Sequence, residues 1–189
     1  MNISDSETLG IDKLTEVLSD YAIDRSEMHA LISYIPKDAN INRTAIEYEI
    51  QLLRILAVGW GINYYIKQDS FKQTLSESYW NSIREFSNNI SSISALSSSA
   101  LDSGFDYFEI IKQRLEIYLD EMRKHADSNE PTASIGPKFA QLCGHQNNAI
   151  IVWMGSKMFQ SVLNQIKTYL SETKFISTNN TTNTQSGAQ

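Results

Sequence analysis

The sequence predicts an all-α fold: an elongated four-helix bundle or a close relative, with one or two short N-terminal helices packed across it. Three observations predict it. Apolar residues recur every three or four positions through most of the 189 residues, which is the beat of an amphipathic helix. The chain is 41% hydrophobic and 20% charged, enough apolar material for a sizeable core and too much for wholesale disorder. The one strand-like stretch, residues 149–154 (AIIVWM), has no second strand to pair with, and a lone strand leaves its backbone groups unsatisfied.

Each element has its own local signal. A first helix over residues 11–21 carries Leu14, Val17, Leu18 and Tyr21 on one face, and Asp24-Arg25-Ser26 breaks it. A short second helix over residues 27–35 uses Met28, Leu31, Ile32 and Ile35. Residues 36–42 form a loop, and Asn42 is placed to cap the third helix. Residues 43–68 are apolar nearly all round, so that helix belongs in the middle of the bundle. Gly59 and Gly61 interrupt it. Each costs about 1 kcal/mol against alanine, so they either let a neighbour approach closely or mark a kink.

Residues 70–100 hold the clearest pattern: Phe71, Leu75, Tyr79, Ile83, Phe86, Ile90, Ile93, Leu96 and Ala100, with Trp80 flanking and a turn expected at residues 102–104. Phe105, Phe108, Ile111, Leu115, Tyr118, Leu119 and Met122 build the next helix, which ends near His125. After a polar connector, Pro137 suits a helix first turn. One long final helix is expected from there to about Leu170, bent where Gly144 or Gly155 allows. The organisation expected is a flexible N-terminus over residues 1–10, a single helical domain over 11–176 and a disordered polar tail over 177–189.

Charge narrows the partners. The formal net charge is -6, with -5 over residues 1–42 and +3 over residues 131–176. Basic residues are too sparse for a phosphate backbone to be the principal ligand. The most apolar run, residues 52–66, is fifteen residues long and broken by Arg54 and Asn63. A bilayer needs roughly 20, so a membrane span is not expected. One cysteine and no leader-like segment point to the cytoplasm.

Chemistry-bearing motifs are few. Phosphate-binding glycine loops, zinc fingers, calcium loops and HExxH are all missing. The Glu-x-x-His pairs of a two-metal bundle are missing too, since Ser26, Met122 and Leu142 stand three before His29, His125 and His145. No metal and no catalytic residue is predicted, and the identity of any cofactor stays open.

Arg54 is the anomaly, a charge between Leu53 and Ile55 on the most apolar helix. Its stem carries the head to solvent, which is the favoured expectation, or it pairs with a carboxylate of another helix, or it holds an anion. Trp60, Tyr64 and Trp80 could line an opening at Gly59–Trp60–Gly61 for a flat or apolar ligand. Cys143 and His145 complete a speculative ligand site, although Cys143 reads first as a buried small side chain.

The sequence supports two functions. The first is intracellular protein binding or assembly through helix faces, adaptor-, immunity- or chaperone-like, with a protein partner or self-association and acidic patches that steer basic partners. The second is an enzyme or small-molecule binder with an aromatic interhelical pocket around Arg54 and Trp60, taking a small apolar or anionic ligand.

Overall fold

The computed structural model describes residues 8–36, 40–97, 106–126 and 131–175. They form an all-α bundle of seven α-helices: α1 (Ile11–Ile23), α2 (Ser26–Ile32), α3 (Arg43–Tyr65), α4 (Asp69–Ser97), α5 (Tyr107–Lys124), α6 (Ile135–Leu142) and α7 (Ala149–Glu172). A 3-10 turn, Pro131–Ser134, leads into α6. Two short strands, β1 (Thr8–Leu9) and β2 (Lys174–Phe175), pair in parallel, Thr8 opposite Lys174 and Leu9 opposite Phe175.

Side-chain oxygens mark the starts of α3, α5 and α7. Asn42 accepts from the Ala45 amide, Asp106 from Glu109, and Asn148 from Ile150 and Ile151. Each satisfies an amide that the first turn leaves without a helical partner.

The core is organised around α3. From Glu49 to Ile62 every residue except Trp60 is buried, and α3 touches all six other α-helices. A helix apolar on all sides is stable only where other helices cover all sides, and that is its position here. The two glycines permit close approach, and α3 runs through them without interruption. A Cβ on Gly59 would lie 2.5 Å from the Trp80 ring of α4, and one on Gly61 2.9 Å from Ile166 of α7.

Three expectations need correction. The final helix is two helices. Gly144 has φ +74°, a backbone state open to glycine at little cost. It ends α6, and Asn148 starts α7 afresh. Ile93, expected on the inner face of α4, is 62% exposed. On α5 the ring that enters the core is Tyr107, with Phe108 only partly covered. The expected turn at residues 102–104 and the polar tail at 177–189 lie outside the described residues, as do Leu96, Ala100 and Phe105 for their side chains.

Helices α6 and α7 pack through Gly155, where an added Cβ would lie 2.6 Å from the Phe139 Cβ. That atom is fixed to the α6 backbone and cannot swing away. Gly155→Ala should therefore lower stability by about 1–3 kcal/mol through overpacking, although alanine alone would favour the helix by about 1 kcal/mol. Urea denaturation of the variant against the natural chain measures this.

Candidate functional site

Arg54 does not reach solvent, which corrects the favoured expectation. Its side chain is fully buried. Nε donates to the Tyr21 carbonyl at 2.8 Å, Nη1 lies 3.4 Å from Glu27 Oε2, and Nη2 lies 4.0 Å from Asp24 Oδ2. The guanidinium carbon stands 4.3 Å from the centre of the Tyr21 ring, within cation–π range. The pairing with carboxylates of another helix is the outcome realised, at the α1–α2 junction. Burial pushes the Tyr21 hydroxyl up to about 12, with the Arg54 charge opposing.

A second internal ion pair was not singled out in the sequence. Glu49, buried in α3, takes a two-pronged grip from Arg114 of α5: Nε to Oε1 at 3.0 Å and to Oε2 at 2.9 Å, Nη2 to Oε1 at 2.6 Å. The fork geometry matches the carboxylate plane. Its signal was Arg114 itself, a charge between Ile111, Leu115 and Tyr118 on an apolar stripe. Close by, burial drives the Tyr118 hydroxyl far above its ordinary range, with Glu49 adding to the effect.

The other predicted site residues are not assembled around Arg54. Trp60 stacks on Phe159 of α7 at 5.4 Å between ring centres, and Trp80 fills the space over Gly59. The expected opening at Gly59–Trp60–Gly61 is therefore closed by Trp80 and Ile166. Tyr64 is 68% exposed, edge-on to Tyr65 at 5.1 Å. Cys143 ends α6, partly buried, its thiol pushed up to about 12 by burial and by Glu49. His145 follows Gly144 and lines a shallow polar hollow with Gln141, Gln146, Asn147 and Asn148. Among the described residues no three of His, Cys, Asp and Glu converge as metal ligands. Among them also, no helix is long and apolar enough to cross a membrane.

Exposed apolar groups gather elsewhere. Tyr34, just past α2, meets Trp153 of α7 edge to face, 5.2 Å between centres at 76°. They are 62% and 43% exposed, and Ile150, one turn before Trp153, is also exposed. Beneath them a cleft of about 250 Å³ opens between α2 and α7, lined by Glu27, Leu31, Lys157 and Met158 besides the rings. A second hollow of about 200 Å³ lies between α1 and α7, lined by Val17, Leu18, Tyr21, Gln165, Ile166 and Tyr169. Sequence reasoning passed over Tyr34. Its only signal was an aromatic ring off the Met28–Leu31–Ile35 stripe. Compared with known proteins, the chain matches no family model, no curated protein and no solved structure.

Two measurements probe this geometry. Arg54→Ala should cost roughly 3 kcal/mol, since it leaves a cavity and an unsatisfied Tyr21 carbonyl. Glu27→Gln, at a half-exposed partner, should cost no more than about 1 kcal/mol. Denaturant titration of the two variants reads the contrast. A thiol raised to about 12 is almost wholly protonated at pH 8, and only the thiolate reacts. Iodoacetamide should therefore leave Cys143 unmodified in the folded protein and alkylate it rapidly in 8 M urea, as mass spectrometry would register.

Proposed function

We propose that this chain is an intracellular protein-binding or assembly protein, and that it docks a partner on the face shared by α2 and α7. The Tyr34–Trp153 pair carries the reading. Two large rings lie half in water over an apolar cleft, although the same chain buries Tyr79 and Phe139 completely. Keeping apolar surface in water forgoes about 25 cal/mol for each Å² left uncovered. Aromatic rings in such positions are the usual anchors of protein interfaces.

The alternative, a small-molecule site around Arg54 and Trp60, draws less support. The fully buried Arg54 guanidinium donates to Tyr21 and Glu27 of its own chain and faces Asp24 at 4.0 Å, with Nη2 making no hydrogen bond, and Trp60 is engaged by Phe159. Neither lines any of the three hollows described. The intracellular part of the reading rests on the single cysteine, which has no disulfide partner in the chain.

Photo-crosslinking tests the face. Benzoylphenylalanine installed at Tyr34 or at Trp153, in the cells that make the protein, should give a discrete protein adduct on illumination. The same group at Glu116, exposed on α5, should give none. No adduct from either aromatic position, or the same adducts from Glu116, would overturn the reading.

A further inference from the structure

Both apolar hollows are lined by α7. On the α7 side their linings follow one another turn by turn: Trp153 and Met158, then Ser161, then Gln165 and Tyr169. On the opposite side run Tyr34, Leu31 and Glu27 of the α2 segment, then Tyr21 and Val17 of α1. As α7 ascends the opposite wall descends, so the two walls are antiparallel. Both ends of this run are tied. Tyr34 meets Trp153 at one end, and Leu9 of β1 pairs with Phe175 of β2 at the other. Between the ties, Trp153 and Tyr169 are sixteen positions apart on one helix, roughly 24 Å at about 1.5 Å per residue.

The helical walls, and the roughly 24 Å they run along α7, suit one more helix. Both walls are helical, and the only sheet edges among the described residues belong to two-residue strands, so there is no long edge for an extended peptide to join. The charge is one-sided. Residues 11–32 carry five acids, Asp12, Glu16, Asp20, Asp24 and Glu27, against Lys13 and Arg25. All five acids are exposed; Asp24 and Glu27 also face Arg54, and Glu16 pairs with Lys13, so Asp12 and Asp20 add the most to the negative side. Of the side chains named on the α7 wall only Lys157 is charged. A partner lying there meets apolar surface below and net negative charge along the α1–α2 side.

We infer that the α1/α2–α7 groove binds a basic amphipathic helix of a partner protein, its apolar stripe on the groove floor and its Lys and Arg residues toward α1 and α2. This rests on the protein-binding reading above and gives it a partner class. Apolar positions at i, i+3 or i+4, i+7 and i+11 of the guest supply the contacts, and the acidic wall sets its polarity and speeds encounter.

Three dye-labelled peptides of about 18 residues, long enough to span the groove, test this by fluorescence anisotropy. One is a Leu/Lys sequence with a single apolar face, one replaces every Lys by Glu, and one scrambles the first so that no face forms. The patterned Leu/Lys peptide should bind at least about tenfold more tightly than either other, a difference of about 1.4 kcal/mol. Its affinity should fall about tenfold in Trp153→Ser and in Val17→Gln, which lie at opposite ends of the groove. It should fall severalfold in Asp20→Asn, more at low salt than at high. Thermal melts of the variants check that each is folded.

Equal binding of the scrambled or the Leu/Glu peptide would overturn the inference, as would full affinity in both Trp153→Ser and Val17→Gln. If photo-adducts form at Tyr34 and Trp153 while no peptide binds, the basic helix is the wrong occupant and the docking face stands. If the adducts are also missing, both fall together.

Discussion

The arrangement depends on how the ends of α1 and α2 are satisfied inside the protein. A helix that stops within a packed structure leaves carbonyls without amide partners, and leaving them unpaired costs about 1–3 kcal/mol each. Here α3 supplies the donors. Arg54 takes the Tyr21 carbonyl and Gln51 Nε2 takes that of Ala22 at 2.7 Å. Arg43 adds a second donor to the Ile32 carbonyl, which already accepts from the Ile35 amide, and reaches those of Ile35 and Pro36 just past α2. Burying a guanidinium is expensive alone, and the hydrogen bond, the nearby carboxylates and the Tyr21 ring together offset that cost. The consequence is directional: α1 and α2 are tied to α3, and the space toward α7 is left open.

The opposite flank of α3 obeys the same logic with a different pair. Glu49 projects toward α5 and finds Arg114, so a buried negative charge and a largely covered positive one cancel across the α3–α5 contact. The neighbouring Tyr118 and Cys143 keep their protons because burial disfavours their charged forms and a carboxylate is near. A thiol in such surroundings is a poor nucleophile. Arg54, Gln51 and Glu49 thus join α3 to α1, α2 and α5.

Much of the fold was legible because helical periodicity and cap chemistry are local. The spacing of Phe71, Leu75, Tyr79 and Ile83 and the cap at Asn42 act within one or two turns, and both appear where expected. The break between α6 and α7 was obscured because the apolar beat runs on through Leu142 and Cys143 into Ile151, and it masks the positive φ of Gly144 and the cap at Asn148. The exposure of Ile93 depends on what lies opposite it, and nothing in α4 states that. Arg54 was misjudged for the same reason. Its partners Tyr21 and Glu27 lie 33 and 27 positions away in the chain, and only the fold brings them close. Of the speculative site, Trp60 and Trp80 were legible as aromatics, but not as the partner of Phe159 and the plug over Gly59, since both contacts are made between helices.

The groove arises from these constraints rather than from any one motif. Hydrophobic burial alone would draw α1 and α7 together over α3, because apolar side chains from both line the space between them. The packing of α1 on α4 and α3 places one wall, and two ties add to it. The β1–β2 pair fixes one end by backbone hydrogen bonds, and the Tyr34–Trp153 contact fixes the other by ring packing. Between them Arg54 holds the α1–α2 bend from beneath, so the wall cannot slide inward without breaking its hydrogen bond to Tyr21. On the proposed docking reading, a cleft held open in this way would lose less conformational freedom on binding than one that had to form. The buried charge that looked like a ligand contact in the sequence therefore acts within the fold: it ties the α1–α2 bend to α3.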